Sequence, residues 1–142
     1  MIELINTAVQ TVQPLQAVVY NEVVYRSRRC AEGYRGDGGL VKLTEPGIYR
    51  VTFGGNIAVP TGETVGEISV AIAADGEVLA GTTARVTPAA VENYFNVALN
   101  TLVRVPCGCC TPVSVRNTSD IPILVDNPNI VVARICVAIS AN

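Results

Sequence analysis

Histidine and tryptophan are absent from this 142-residue chain, and Lys42 is the only lysine among its ten cations. Without imidazole, the chain lacks the side chain that most often acts as a general base near neutral pH and the commonest nitrogen ligand of zinc. Charge is scarce as well. Charged residues make up 15% of the chain and the formal net charge is −2. Nucleic acid is therefore excluded as a partner, because displacing counterions from phosphates needs clustered cations. No apolar run approaches the roughly 20 residues that cross a bilayer as a helix, so membrane insertion is not expected. The opening MIELINTAVQ has neither a basic n-region nor a continuous apolar stretch, so no signal peptide is read there. The expectation is a soluble chain made in the cytoplasm, with its final address undetermined.

Chemical motifs are missing too. Gly54-Gly55 sits inside a strand pattern and reads as a bulge or a close backbone approach, not as a phosphate cradle. There is no nucleophile elbow, no paired-carboxylate constellation and no calcium spacing. The twelve carboxylates are scattered among turns and strand ends. Neither an enzyme nor a cofactor is expected.

What the chain does have is strand after strand. Its apolar fraction of 49% marks a folded protein, and its length suits one domain over residues 1–142. Turn clusters recur at Gly36 to Gly39, Pro46-Gly47, Pro60 to Gly62, Asp75-Gly76, Pro106 to Cys110, Asn117 to Asp120 and Asn127 to Asn129. In GIYRVTFGGNIAV, Tyr49, Val51, Phe53, Ile57 and Val59 share one side. In GEISVAIAADGEVLAG, Ile68, Val70 and Ile72 alternate with Glu67, Ser69 and Ala71, and Asp75-Gly76 signals a hairpin. QTVQPLQAVVY reads as a strand with Pro14 at an edge or bulge. The class is all-β, a sandwich or barrel.

Two strands break the usual alternation of core side and solvent side. In VENYFNVALNTLVRV, Val91, Phe95, Val97, Leu99, Val103 and Val105 form the core side, yet the other side carries Tyr94, Ala98 and Leu102 among amides. In NIVVARICVAIS both sides are apolar: Val131, Ala133, Ile135, Val137 and Ile139 on one, and Ile130, Val132, Cys136 and Ala138 around Arg134 on the other. A sheet with one solvated face alternates cleanly. These strands therefore need a second cover, either the chain's own N-terminal segment or another subunit, and the subunit is the preferred reading. Nine of the ten cations are arginines, whose planar, weakly hydrated heads suit interfaces.

Five cysteines cannot all pair within one chain. Cys107, Cys109 and Cys110 crowd into VPCGCCTPVSV, and only Cys30 and Cys136 remain elsewhere. A structural zinc site usually takes four ligands from two knuckles, which this set supplies poorly. Cys107 and Cys110 have the spacing of a redox pair but lie between Pro106 and Pro112, not at a helix start. A disulfide that includes Cys30, within or between chains, stays open. So does a tight loop in which Gly108 permits the turn and the thiols pack as small hydrophobes. A thiol- or zinc-dependent protein centred on this loop is the alternative to a structural role. Arg35-Gly36-Asp37 spells an integrin tripeptide but also suits a turn, and Arg26, Arg28 and Arg29 beside Glu32 read as a solvated loop. Asn117-Thr118-Ser119 matches a glycosylation sequon and reads as a turn whose Asn and Ser bond their own backbone.

The segment GGLVKLTEPGIYRVTFGGNIAV resembles the centre of the jelly roll shared by tumour-necrosis-factor-like proteins and complement globular heads. In that pattern a short strand ends in a Pro-Gly turn and Gly-x-Tyr opens a long inner strand, here Pro46, Gly47 and Tyr49. ISVAIAADGEVLAGT, NYFNVALNTLVRVPCGC and TPVSVRNTSDIPILVDNPNIVVARI follow in matching order, so the likeness spans residues 7–139. It is nearest in flavour to bacterial exosporium collagen-like glycoproteins and prophage-encoded Firmicutes proteins, without their collagen-like stem. The resemblance implies a jelly-roll β-sandwich of about ten antiparallel strands. It also implies a homotrimer on a phage particle or a bacterial or spore surface. Tyr94, Ala98, Leu102, Val132 and Arg134 are then expected at the trimer interface, and Tyr34 and Arg35 in a loop that meets a glycan or protein receptor.

Overall fold

The computed structural model describes residues 1–27, 34–35, 39–106 and 110–137. They form twelve strands: β1 (Ile2–Ile5), β2 (Gln10–Val12), β3 (Glu22–Arg26), β4 (Tyr34–Arg35), β5 (Leu40–Leu43), β6 (Gly47–Ala58), β7 (Ile68–Ala74), β8 (Glu77–Val78), β9 (Ala84–Val86), β10 (Phe95–Val105), β11 (Thr111–Asn117) and β12 (Ile123–Val137). No helix occurs among the described residues. One sheet runs β10-β6-β12-β1-β3, with β2 alongside β12, and the other runs β4-β5-β11-β7-β8, with β9 alongside β7. Every pairing is antiparallel. The three longest strands, β6, β10 and β12, make up most of the first sheet.

The core follows from period-two alternation. Tyr49, Val51, Phe53 and Ile57 of β6 point inward with Val97, Leu99, Val103 and Val105 of β10 and with Ile130 and Val132 of β12. Ile68, Val70 and Ile72 of β7 and Val113 and Val115 of β11 meet them from the second sheet. β7 departs from clean alternation, for Ser69, Ala71 and Ala73 are buried as well. The expected hairpin after β7 is present: Asp75 and Gly76 both adopt positive φ, 53° and 83°, as a two-residue turn between right-twisted strands demands.

Pro46-Gly47 opens β6 as its sequence suggests. Tyr49 is fully buried, and its hydroxyl donates to the Glu45 carbonyl at 2.8 Å. Gly47 has φ 153°, and a Cβ there would stand 2.5 Å from the Cys136 carbonyl oxygen. Gly47→Ala should therefore cost roughly 2–3 kcal/mol, read as a lower urea midpoint with an unchanged slope. Gly55 is a close approach and not a bulge, since a Cβ would come within 3.3 Å of Pro128 Cα. The bulge lies across from it in β12, where the register shifts between Asp126 and Asn129.

The N-terminal segment differs from its sequence reading. β2 ends at Val12, and a turn follows in which Leu15 takes φ 66° and Gln16 N donates to Gln13 O at 3.0 Å. The chain then crosses to the second sheet, where Val18 N donates to Val115 O at 2.8 Å and Ala17 bridges Arg116. Pro14, with no N–H to give, sits where strand pairing stops. β1 lies beside β12 in the same sheet, with Ile2 opposite Val132 and Leu4 opposite Ile130. It flanks the last strand and leaves that strand's outer side open.

Asn117 ties these parts together. It is fully buried, its Nδ2 donates to Val12 O and to Ile121 O at 2.9 Å each, and its Oδ1 accepts from Ser119 N at 2.8 Å. The sequon asparagine is thus committed inside the fold. Ser119 departs from the expected local turn. Its hydroxyl accepts from Ser69 N at 2.7 Å, latching the β11–β12 turn to β7.

Candidate functional site

Because alternate residues of the first sheet fill the core, the residues between them form one outward face. Its rows can be read from the register. Ala98, Gly54, Asn129 and Ile5 stand side by side, then Asn100, Thr52, Val131 and Glu3, then Leu102, Arg50 and Ala133. A Cβ at Gly54 would meet nothing within 4 Å, so the middle of this face is open.

The face is amphipathic and not polar. Tyr94 is 38% exposed and Leu102 54%, and Ala98 is exposed between them. Val131 and Ala133 are half-buried, and Ile135 is exposed. Partial burial first, and then the carboxylates of Asp126 and Glu92, push the Tyr94 phenol above its ordinary pKa. Tyr94 is therefore neutral throughout the physiological range, an uncharged amphipathic ring at the upper corner of the face.

Two sequence expectations for β12 need correction. Val132 is fully buried, paired with Ile2 on one side and Val51 on the other, so it belongs to the core and not to an interface. Arg134 shares that inward phase. It is half-buried, and its guanidinium donates to the Pro46 carbonyl at the end of the sandwich. A strand apolar on both sides gives no phase, and the bulge at Asp126/Asn129 decides it. β12 presents Val131 and Ala133 outward, and a second register shift between Arg134 and Cys136 leaves Ile135 at a bulge and puts Cys136 on the outward side too. Phe95, expected inside, is 38% exposed, because it begins β10 at the rim of the sandwich.

Sequence reasoning missed β3. All five of its residues are exposed, including Val23, Val24 and Tyr25, and the strand forms the edge of the first sheet next to β1. The apolar run VVY was the available signal, but with no alternation it carried no facing. An exposed apolar edge strand is a ready surface for another chain.

Of the thiols, Cys110 and Cys136 are free and exposed. Both lie at the end of the sandwich where β10 and β12 stop and β11 begins. Cys136 stands opposite Ile48 and so shares the outward face. Cys30, Cys107 and Cys109 lie outside the described residues, as do Gly36, Asp37, Arg28, Arg29 and Glu32. Among the described residues no group of three His, Cys, Asp or Glu is placed to hold a metal ion. Tyr34 and Arg35 form β4 through pairing with Val41 and Leu40, at the edge of the second sheet.

No protein-family model and no curated protein matches the sequence. Solved structures do match the fold. A structure titled as the Eiger TNF of S. frugiperda superposes with a TM-score of 0.71 at 12% identity, covering 99% of this chain and 95% of that one. The fold is a TNF-like jelly roll. Murine APRIL superposes with a TM-score of 0.53 at 13% identity, over 91% of this chain and 97% of its own. At such identities the likeness is one of architecture, and function has to come from the surfaces this jelly roll presents.

Proposed function

We propose that residues 1–142 act as one non-enzymatic jelly-roll unit that assembles as a homotrimer through the outward face of the β10-β6-β12-β1-β3 sheet. The observation that carries this reading is the face itself. Tyr94, Ala98, Leu102, Val131, Ala133 and Ile135 are left uncovered on a sheet whose other side is already filled. Burying such a side chain stabilises an assembly by about 1.5–3 kcal/mol, and apolar side chains at the centre of a face suit an obligate contact. The similarity to TNF-like jelly rolls supports three chains around an axis, and interfaces between identical chains close by symmetry.

The decisive measurement is mass by size exclusion with light scattering, with and without reductant. Three chains of 14.9 kDa give about 45 kDa. That mass, unchanged by reductant, is the expected result. A stable monomer at 14.9 kDa would sink the reading. Thiol accessibility offers a second check. Alkylation mapped by peptide mass spectrometry should modify Cys110 at the rate of a free exposed thiol. Cys136, on the shared face, should react at least about tenfold more slowly. Equal rates would place the contact elsewhere.

As the finer part of the proposal, the trimer serves as a structural or adhesive module on a phage particle or a bacterial or spore surface. Its distal loops meet a glycan or protein receptor. Tyr34 and Arg35, expected in a loop, lie instead on the edge strand β4, and they are the candidate residues. Glycan-array binding that is lost in Tyr34→Ala would support this, whereas a blank array with intact trimers would leave the module purely structural.

A further inference from the structure

The charges on the outward face are sorted by side. The β10 and β6 strands carry Arg50 and Arg104, both exposed, on this face and no carboxylate; Glu92 and Asp126 lie at the far end, near Tyr94. Arg50 stands opposite Leu102, and Arg104 lies two residues further along β10, so the two guanidinium groups are diagonal neighbours on one surface. The half formed by β12, β1 and β3 carries Asp126, Glu3 and Glu22. Glu22 stands opposite Ile5, and Glu3 opposite Tyr25 and Val131, with its carboxylate accepting from Asn129 Nδ2 at 2.6 Å. The cations on this second half sit at its lower corner. They are the Met1 amino group, held by Ser27 Oγ at 2.7 Å, and Arg26, opposite the inward-facing Ile2. The one ion pair among the described residues, Arg85 with Glu67, is on neither half.

Neighbouring arginines with no acid between them repel, and so do neighbouring carboxylates with no base. Each half therefore lacks what the other provides. Each also carries exposed apolar surface beside its charges: Leu102 and Tyr94 on the first, and Tyr25, opposite Glu3, on the second. We infer that the two halves are the two sides of one contact between copies of this chain. The Arg50 and Arg104 half of one copy docks on the Glu3 and Glu22 half of the next, with Leu102 set against Tyr25 on the β3 edge. This inference rests on the self-association proposed above and adds which surfaces meet. A contact between two different patches is what a closed ring of identical chains needs. Opposite charges on the two patches also fix the register and disfavour like-to-like docking.

The test is a charge swap followed by light scattering over a concentration series at low and high salt. Arg50→Glu with Arg104→Glu, and separately Glu3→Arg with Glu22→Arg, should each weaken assembly by at least about tenfold. The variant carrying all four changes should assemble again. Salt should weaken the wild type, because it screens charges at the rim. Glu22→Arg alone keeps the bond between Glu3 and Asn129, and circular dichroism of each variant guards against misfolding. Reversed variants that assemble as tightly as the wild type would overturn the pairing, as would a fourfold variant that stays dissociated. A wild-type dimer whose variants follow the expected pattern would keep the pairing and overturn the trimer. A wild-type monomer would overturn both.

Discussion

Asn117→Ala is expected to destabilise the fold by roughly 3–4 kcal/mol, a large loss for one exchange. The Asn117 side chain is fully buried and makes three hydrogen bonds to backbone groups, at Val12, Ser119 and Ile121. Truncation takes the Asn117 partner from two carbonyls and one N–H, and a buried group left unpaired costs about 1–3 kcal/mol. The bonds to Ser119 and Ile121 shape the turn between β11 and β12, and the bond to Val12 ties that turn to the end of β2, far away in sequence. At a pH where its carboxyl is protonated, Asn117→Asp keeps the acceptor for Ser119 and offers one O–H donor in place of two N–H donors, so it should fall between wild type and Ala. Urea denaturation measures both. An Ala variant within about 1 kcal/mol of wild type would mean that the network is replaced by water or by rearrangement.

Leu102→Asp is expected to act on assembly and spare the fold. The side chain is 54% exposed, and its outward phase keeps it away from the sandwich core, so the single chain loses little. In the proposed trimer the same position would bury an unpaired carboxylate in every contact, which is costly enough to break it. The expected reading is a fall from about 45 kDa to 14.9 kDa with an unchanged circular dichroism spectrum. Leu99→Asp, three residues back and inward-facing, is the control and should fail to fold. A Leu102→Asp protein that keeps the wild-type mass would remove this face from any role in association. These two variants also separate two kinds of apolar residue that the sequence does not tell apart.

Much of the architecture was written locally. β6 could be read residue by residue, because Tyr49, Val51, Phe53 and Ile57 alternate with Arg50, Thr52 and Asn56, and only one phase of a strand buries the first set. The Asp75-Gly76 hairpin and the Pro46-Gly47 entry were legible for the same kind of reason, since each depends on backbone angles that few residues adopt. Tyr94, Ala98 and Leu102 were legible as a face at odds with solvent, because their neighbours across β10 are plainly core residues.

The phase of β12 was not legible. With Ile130 to Ala133 all apolar, period two has nothing to distinguish, and the pairing of Ile130 with Phe53 and of Val132 with Val51 alone sends Val132 inward. A bulge at Asp126/Asn129 moves the register of everything after it. The crossing of residues 13–18 to the second sheet and the exposure of Val23, Val24 and Tyr25 are likewise decided by partners far along the chain. Composition and alternation determined that this protein is all-β, a sandwich or barrel, with two strands whose second side is not a solvated one. The tertiary register decided which residues that second face presents and sorted its charges to opposite sides, since a side chain's direction in a sheet is set by the strand beside it.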